Sequence, residues 1–282
     1  MRLATISEAD RETAVAVDPV RGVVRVHDLL PTEFPDTMAV LAATTAEELD
    51  WLVQAARDSQ FRSRDELRFV APYRHPRKIW GIGLNYVAHA ADLTESVPDE
   101  PASFIKGDHT IIGPGDDIPL PAQSQRVTAE AELGLIIGRY CRDVSAQDAL
   151  DYVWGVCPVL DQTAEDILAR NPRFLTRAKN FPGFFAFGPE IVPMSEVLAA
   201  GDLADVEVST VHNGAVHRSN TVRNMRYDPA FLVSFHSKVM PLFPGDIISP
   251  GTPGAVHVRT GDVVECHIPG IGVLRNPVVT AS

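Results

Sequence analysis

Two glutamates, Glu130 and Glu132, lead directly into the apolar run 133–137. Side chains alternate between the two faces of a β-strand, so both carboxylates are expected on one face, with their Cα atoms about 6.5–7 Å apart. A carboxylate beside a hydrophobic core is costly unless it is paired with a cation or bound to a metal. This segment constrains the fold more than any other, because it predicts a strand near the core that carries an acidic site on one face.

A third carboxylate, Asp161, directly follows the predicted apolar strand 156–160, at the point where a sheet offers side chains to a site. Three carboxylates without a nearby cysteine favour a hard cation, Mg²⁺ or Mn²⁺, over Zn²⁺. The pattern Glu-x-Glu is common, so a solvated strand edge beside a turn aspartate is the alternative interpretation.

The chain has 282 residues, enough for one large domain or for one domain with a small appendage. Its formal net charge is −12 at pH 7, which disfavours nucleic acid and anionic membrane surfaces as partners. No apolar run approaches the length of a membrane helix, and no secretory signal is visible at the start. The three cysteines, Cys141, Cys157 and Cys266, form no close pair in the sequence, so neither disulfides nor a thiolate zinc site are expected. This cysteine pattern predicts a cytoplasmic location.

Residues 1–73 are predicted to form a small N-terminal α/β appendage, and residues 74–282 the main domain. Within the appendage, the pattern predicts a short hairpin over 15–26. A capping box followed by apolar residues at helical spacing predicts a helix over 45–57. A proline-punctuated linker is predicted at 72–76.

The main domain is expected to be rich in β-structure. Strands are predicted at 78–84, 131–137 and 156–160, with a helical segment at 88–94 and a helix over 146–154 that Ser145 would cap. Asn213-Gly214 predicts a hairpin, because both residues tolerate positive φ, and short strands are expected from 246 to 279. Helices are few and βα alternation is irregular, so a mixed, β-rich α+β fold is expected rather than a doubly wound sheet.

Three further side chains are candidates for chemistry. On a helix His89 and Asp92 would share a face, so the carboxylate could orient the imidazole as a general base; a surface contact is the alternative. Lys179 lies in an aromatic-rich segment, where its amine could stabilise a developing enolate or simply reach past apolar surface into water. Lys106 allows the same two interpretations.

Two familiar motifs are not supported. Gly81 and Gly83 follow a strand-like run, but Tyr86 stands where a dinucleotide fingerprint needs its third glycine, and no βαβ pattern follows. The sequence contains no G-x-S-x-G motif, so a serine site of the α/β-hydrolase type is unsupported.

A series of short segments between residues 78 and 279 resembles the fumarylacetoacetate hydrolase (FAH) family, in the order in which the family has them. The segments are Gly83-Leu84-Asn85-Tyr86-Val87-Ala88-His89, Phe104-Ile105-Lys106, Glu130-Ala131-Glu132-Leu133, Asp161-Gln162-Thr163-Ala164, Ala178-Lys179-Asn180-Phe181, Gly188-Pro189, Asn213-Gly214, Pro244-Gly245-Asp246, Gly251-Thr252-Pro253 and Gly270-Ile271-Gly272. So many segments in register are difficult to obtain by chance.

The resemblance implies a mixed β-sandwich roll of the FAH C-terminal type over 74–282, usually a homodimer. It implies Mg²⁺ or Mn²⁺ as cofactor and a small keto acid as substrate. The expected activity is hydrolysis of a C–C bond in a β-diketo acid, such as an acylpyruvate or fumarylacetoacetate, in aromatic catabolism. Decarboxylation, tautomerisation or isomerisation, and dehydration of a 2-keto acid are the alternatives, as is a member that only binds a small acid.

The resemblance also implies roles for individual residues. The metal ligands would be Glu130, Glu132 and Asp161. The catalytic residues would be His89, Asp92 and Lys179, and the substrate contacts Lys106, Gly251 and Thr252.

Three positions depart from the family pattern. Asp92 stands where the hydrolases usually have glutamate, one methylene longer. Glu165 stands where arginine usually follows D-x-T-A, which reverses a charge close to the metal strand. Pro250 replaces the threonine that usually precedes Gly-Thr-Pro. An anionic substrate group bound by that arginine would lose its partner, so a close match to the acylpyruvate hydrolases is not expected.

Overall fold

A computed structural model of the chain describes residues 1–44, 52, 55–87 and 98–281. Its strands, in chain order, are β1 (Arg2–Glu8), β2 (Arg11–Asp18), β3 (Gly22–Arg25), β4 (Arg68–Phe69), β5 (Ile79–Gly83), β6 (Ala102–Lys106), β7 (Ile111–Ile112), β8 (Ile118–Leu120), β9 (Val127–Ile137), β10 (Val153–Ala164), β11 (Phe185–Phe187), β12 (Glu190–Pro193), β13 (Glu207–His212), β14 (Ala215–Thr221), β15 (Ile247–Ser249), β16 (Ala255–Val258), β17 (Val263–Ile268) and β18 (Gly272–Thr280).

The helices are short. Those of α type within the described residues are α1 (Thr37–Ala43), α2 (Glu165–Arg170), α3 (Leu175–Lys179), α4 (Met194–Ala200) and α5 (Pro229–Val239). Single 3₁₀ turns are formed by Val26–Asp28, Ala56–Asp58, Arg64–Glu66, Asp108–Thr110, Ala149–Tyr152, Pro172–Phe174, Leu203–Asp205 and Val222–Asn224. None of the helices in this part of the chain has the length and apolar character needed to cross a membrane.

The larger sheet is built around a long antiparallel ribbon of β9 and β10. Its hydrogen-bonded order is β3-β2-β1-β12-β10-β9-β15-β5-β6, and β4, β7, β11 and β16 pair alongside this path. In the ribbon Glu130 lies opposite Asp161 and Thr128 opposite Thr163. The pair of β15 and β5 is parallel, so the sheet is mixed, as expected.

A second, five-stranded sheet, in the order β14-β13-β17-β18-β8, packs against one face of this ribbon. Ala131, Leu133 and Leu135 of β9 are fully buried in the core between the sheets, where β17 and β18 contribute Cys266 and Leu274. Each buried aliphatic side chain of leucine size contributes roughly 1.5–3 kcal/mol to folding. Because side chains alternate, the glutamates between these core residues face the other way, and the hydrophobic core itself fixes the side on which the carboxylates lie.

The N-terminal strands are joined to the larger sheet. Leu3 of β1 pairs with Ile191 of β12, and the Arg2 guanidinium donates hydrogen bonds to the Gly270 and Ile271 carbonyl oxygens at 2.7 and 3.0 Å. The proline-punctuated segment 72–76 packs firmly, because the Pro72 carbonyl accepts a hydrogen bond of 2.6 Å from Thr5. The division of the chain at residue 73 stays a prediction.

Most of the predicted elements are present. The hairpin at Asn213-Gly214 joins β13 to β14, the early hairpin joins β2 to β3, and short strands follow residue 246. The predicted helix over 146–154 is wrong. Only the 3₁₀ turn Ala149–Tyr152 forms, because Val153 and Gly155 already belong to β10 and pair with β9. The predicted helices over 45–57 and 88–94 lie largely or wholly outside the described residues.

Burial of His236 on α5 predicts a loss of stability at low pH. Its Nδ1 lies 2.7 Å from the Leu232 carbonyl, and its Nε2 is buried without a hydrogen bond in the described chain. Burial lowers the pKa of His236 below the ordinary value of 6.5. The unfolded chain therefore accepts a proton that the folded protein resists, and stability is lost as the pH falls from about 6.5 toward the lowered folded pKa.

Urea unfolding at pH 8 and pH 5 measures this effect. The wild type is expected to lose more free energy of unfolding between the two pH values than the His236→Leu variant. The same substitution at exposed His257 should leave the wild-type pH dependence in place. An unaltered dependence in His236→Leu would show that other groups are responsible.

Candidate metal centre

The β9–β10 ribbon brings together the three carboxylates that the sequence singled out. Glu130, Glu132 and Asp161 each offer an oxygen, and these oxygens lie within 4.8 Å of one another. Glu130 and Glu132 share one face of β9, as predicted. Asp161 was expected at the end of a strand, but it lies inside β10, because the ribbon continues to Ala164.

Glu132 is the innermost of the three carboxylates. Its Oε2 accepts hydrogen bonds from the Ser249 hydroxyl at 2.6 Å and from the Gly251 backbone N–H at 2.8 Å. Burial raises the pKa of Glu132 to about 8, and the negative charges of Asp161 and Glu130 add to the effect. The position therefore disfavours an ionised carboxylate unless additional positive charge is present.

Two buried lysines supply part of that positive charge. Lys106 Nζ lies 2.7 Å from Asp161 Oδ1, and Lys179 Nζ lies 3.2 Å from Asp161 Oδ2 and 3.0 Å from Glu130 Oε2. Burial lowers the pKa of Lys106 to about 8, although Asp161 opposes the shift. Burial also acts to lower the pKa of Lys179, but the attraction of Asp161 and Glu130 outweighs it, so this pKa is raised.

Glu130 lies at the open side of the centre. The exposed fraction of its side chain is 14%, against none for Asp161. Besides Lys179, the Thr163 hydroxyl donates to it, at 2.9 Å from Oε1. Solvent and ligands would therefore reach the centre past Glu130.

The side chains present fit a divalent cation. The donors are all carboxylate oxygens, which Mg²⁺ and Mn²⁺ prefer, and they are close enough for one ion to reach all three. Among the described residues, the three carboxylates are contacted by two ammonium groups. Moreover, Asp161 Oδ2 is buried without an aligned hydrogen bond in the described chain, its contact with Lys179 being an ion pair only. The centre therefore has both the charge and the free acceptor that a cation would satisfy.

A tight loop after β15 closes the inner side of the centre. Asn85 holds it, since its Nδ2 donates to the Pro250 carbonyl at 2.8 Å. Gly251 has φ +107°, and a Cβ there would lie 3.1 Å from the Asn85 Cβ and from the Ile82 carbonyl oxygen. The Thr252 hydroxyl is buried and lies within hydrogen-bond distance of the Gly254 backbone. Gly251 therefore contacts Glu132 through its backbone N–H, whereas the Thr252 hydroxyl contacts the backbone of the same loop.

The Gly251→Ala substitution is expected to destabilise the protein by about 1–3 kcal/mol and to weaken cation binding, because the strained backbone would displace the N–H that contacts Glu132. Thermal unfolding and Mn²⁺ titration measure the two effects. Gly261 is the matched control, since it has φ +93° and open space around it. Equal losses in Gly251→Ala and Gly261→Ala would mean that the contacts of Gly251 are unimportant.

The predicted dyad, His89 and Asp92, lies outside the described residues. The chain leading to it is fixed near the centre: the Tyr227 N–H donates to Asn85 Oδ1 at 2.9 Å, and Asn85 also contacts the loop around Gly251. The Tyr86 hydroxyl is buried, and burial together with the charge of Glu132 raises its pKa.

Sequence reasoning missed several residues that support the centre. The hydroxyls of Ser249 and Thr163 donate hydrogen bonds to Glu132 and Glu130. Serine and threonine are common in strands, so no sequence signal identifies these two residues as part of a site. The sequence identified Glu165 as a reversal of charge relative to the family pattern, but it did not predict the ion-pair partner of Glu165. In the structure Glu165 Oε2 lies 2.7 Å from Nε of Arg126, which directly precedes β9.

The chain belongs to the fumarylacetoacetate hydrolase family. The sequence model for the fumarylacetoacetate (FAA) hydrolase C-terminal region matches residues 78–279, which include β5 to β17 and all of β18 except its last residue. The resemblance inferred from the motifs is thereby confirmed, as is the β-rich α+β fold.

Three relatives indicate the range of this family. Oxaloacetate tautomerase FAHD2A, mitochondrial, from Homo sapiens is 32% identical over 268 residues, covering 92% of this chain and 84% of that protein. The crystal structure of 5-carboxymethyl-2-hydroxymuconate delta-isomerase from Mycobacterium smegmatis is 32% identical, with a TM-score of 0.77 and full coverage of both chains. Maleylpyruvate hydrolase from Sphingobium sp. SYK-6, in complex with manganese(II) ion and pyruvate, is 27% identical, with a TM-score of 0.84 and full coverage of both chains.

These relatives are named as a tautomerase, an isomerase and a hydrolase, and one of them contains manganese. Family membership and the acidic triad together support the assignment of this chain as an enzyme with a site able to hold a divalent metal.

Proposed function

We propose that this protein is a divalent-metal-dependent hydrolase that cleaves a C–C bond in a β-diketo acid. The observation that carries the proposal is the convergence of Glu130, Glu132 and Asp161 beside two buried lysines. A Mg²⁺ or Mn²⁺ ion held by the three carboxylates would supply a Lewis acid for adjacent keto and carboxylate oxygens of the substrate.

The lysines are suited to stabilising negative charge that develops on the substrate. Cleavage of a β-diketo acid leaves an enolate, and a fixed cation in a dry site lowers the energy of such a charge. Lys179 remains charged, because its raised pKa keeps the proton on Nζ. Its position between Glu130 and Asp161 places it at the edge of the carboxylate cluster, where a substrate oxygen would approach. Lys106 lies deeper and holds Asp161 in place.

Hydrolysis also needs a base to activate water, and we assign this role to His89, oriented by Asp92. The assignment rests on sequence: His89 follows Asn85 by four residues, and Asn85 is fixed against the loop that carries Gly251. An imidazole at this point would take a proton from water and pass it on to the leaving carbon. Full turnover by a His89→Ala variant would contradict this assignment.

Tautomerisation or isomerisation of a 2-keto acid is the second candidate. It is favoured by the described residues themselves, since the acidic triad and Lys179 suffice to stabilise an enolate without an activated water. It is also favoured by the similarity to oxaloacetate tautomerase over 92% of this chain. Under this alternative the departure at Asp92 would matter less.

A metal-dependent turnover assay tests the proposal. The protein is stripped with a chelator, Mg²⁺ or Mn²⁺ is added back, and the enol absorbance of maleylpyruvate, acetylpyruvate and oxaloacetate is followed with product analysis. Cation-restored formation of two carbon products from a β-diketo acid supports hydrolysis. Interconversion of keto and enol oxaloacetate without cleavage of any substrate would instead select the tautomerase. Cleavage at full rate without a divalent cation would refute both.

A further inference from the structure

The carboxylate-bearing face of the β9–β10 ribbon continues outward as a polar track. Moving outward along the ribbon, Glu130 lies opposite Asp161, and then Thr128 opposite Thr163. One more rung follows, because the Glu165 N–H donates to the Arg126 carbonyl at 2.9 Å. Alternate residues of a strand share a face, so the first two rungs lie on the same side, about 6.5–7 Å apart. Arg126 directly precedes β9 and Glu165 is the first residue of α2, and their side chains contact each other just beyond the end of the ribbon.

The last rung, Arg126 and Glu165, is called the outer rung below. Nε of Arg126 lies 2.7 Å from Glu165 Oε2, an oxygen that is shielded from solvent. The exposed fraction of the Arg126 side chain is 62%, and the terminal guanidinium nitrogens make no hydrogen bond within the described chain. The Glu165 carboxylate thus contacts one edge of the guanidinium as an ion pair without an aligned hydrogen bond, while donors that can bind a carboxylate in a fork remain available.

The backbone that carries the outer rung is fixed on both strands. Asp166, next to Glu165, accepts hydrogen bonds from the Ser124 hydroxyl at 2.5 Å and from the Gln125 N–H at 3.2 Å. The Arg126 N–H in turn donates to the Ser124 hydroxyl oxygen at 3.3 Å. A guanidinium whose backbone and Nε are both held loses less conformational entropy when it binds an anion.

The outer rung also borders open space. It lines a depression of about 390 Å³, to which Asp166, Ala169 and Arg170 contribute. Arg170 pairs with Asp166 at 3.6 Å, so the two arginines and two acids balance in charge. Such a surface suits a singly charged carboxylate better than a doubly charged phosphate, which the two acids would repel.

We propose that Arg126 binds a second carboxylate at the far end of the substrate and that Glu165 positions Arg126 for this contact. This inference rests on the proposed function, because the 2-keto acid end of the substrate must lie at the three carboxylates. The Cα atoms of Arg126 and Glu130 are about 13 Å apart along the ribbon, a gap that the arginine side chain partly closes. The favoured substrate class is therefore a long-chain 2-keto dicarboxylate rather than a short diacid or a neutral acylpyruvate.

A binding experiment tests this without depending on turnover. Calorimetry on the Mn²⁺-loaded protein compares 2-oxopimelate with 2-oxoheptanoate, which have the same chain length and differ in the terminal carboxylate. The wild type is expected to prefer the dicarboxylate by about 2–5-fold, the range typical of an ion pair with a largely exposed arginine. Arg126→Gln should abolish the preference, Arg126→Lys should restore part of it, and Glu165→Gln should reduce it. Arg142→Gln, at an exposed arginine elsewhere, is the matched control.

Turnover separates substrate binding by Arg126 from a structural role of this residue. Arg126→Gln should raise the ratio of the KM for maleylpyruvate to that for acetylpyruvate by about 2–5-fold, with kcat changed much less. No preference for 2-oxopimelate in the wild type, or one that persists in Arg126→Gln, would overturn the inference whatever the turnover assay gives. Absence of cation-dependent turnover together with an Arg126-dependent preference would refute the proposed reaction and leave the carboxylate site standing.

Discussion

Replacing Glu132 with glutamine is expected to abolish cation-dependent turnover while making the cation-free protein more stable. Loss of a residue that hydrogen-bonds to a metal ligand typically lowers metal affinity or activity by about 10–100-fold. Loss of the ligand itself should therefore lower cation-dependent turnover by more than about 100-fold. Glutamine can still accept the hydrogen bonds from Ser249 and Gly251. Without a cation Glu132 must either stay ionised beside two carboxylates or take up a proton, since its pKa is raised to about 8. Glutamine avoids both costs, so the free energy of unfolding without cation should rise by about 1 kcal/mol or more.

Mn²⁺ titration, turnover and thermal unfolding, each with and without chelator, measure these effects together. The substitution Glu207→Gln, at an exposed glutamate of β13, is the control for removing one charge. Two results would be incompatible with a metal centre at this position. One is wild-type Mn²⁺ affinity in Glu132→Gln, and the other is an equal loss of stability with and without the cation.

The Lys179→Met substitution is expected to make the stability of the protein depend on a divalent cation. Lys179 contacts both Glu130 and Asp161, and without it Lys106 would be the one ammonium group beside the three carboxylates among the described residues. Removing one partner from a buried ion pair typically costs about 3–5 kcal/mol. A cation that binds only the folded state should recover much of this loss, in proportion to the logarithm of its concentration.

Urea unfolding of Lys179→Met at increasing Mg²⁺ or Mn²⁺ measures the recovery. Lys238→Met, at an exposed lysine of α5, controls for the loss of a surface amine and should respond to the cation as the wild type does. If the variant were destabilised to the same extent at every cation concentration, Lys179 would have a packing role rather than an electrostatic one.

The parts of the fold that sequence predicted are those with local causes. Glu130 and Glu132 share a face because strand geometry leaves no other choice once Leu133 and its neighbours are buried. The hairpin at Asn213-Gly214 follows from the backbone freedom of two residues, of which Gly214 has φ +80°. Both features depend on a few adjacent residues, so a single sequence suffices to find them.

What sequence could not supply depends on distant pairings. The helix predicted over 146–154 has a plausible cap, but pairing of Val153 with Ile137 gives the backbone an alternative set of hydrogen bonds that local propensity cannot anticipate. Ser249 reaches Glu132 across 117 residues, and Lys106 reaches Asp161 across 55. No periodicity connects such residues. The resemblance to the family, rather than spacing, brought Lys106 into the predicted site, and Ser249 was missed.

The junction between β1 and β12 has a consequence for the synthesis of the protein. Arg2 and Glu190, which form an ion pair at this junction, are separated by 188 residues. At 5–20 residues per second a ribosome needs roughly 10–40 s to deliver the second after the first. During that interval the edge of β1 that β12 will cover has to remain unpaired, and an unpaired edge is a template for association with other chains. Nascent chains of this protein should therefore rely most on chaperones before residue 191 has emerged.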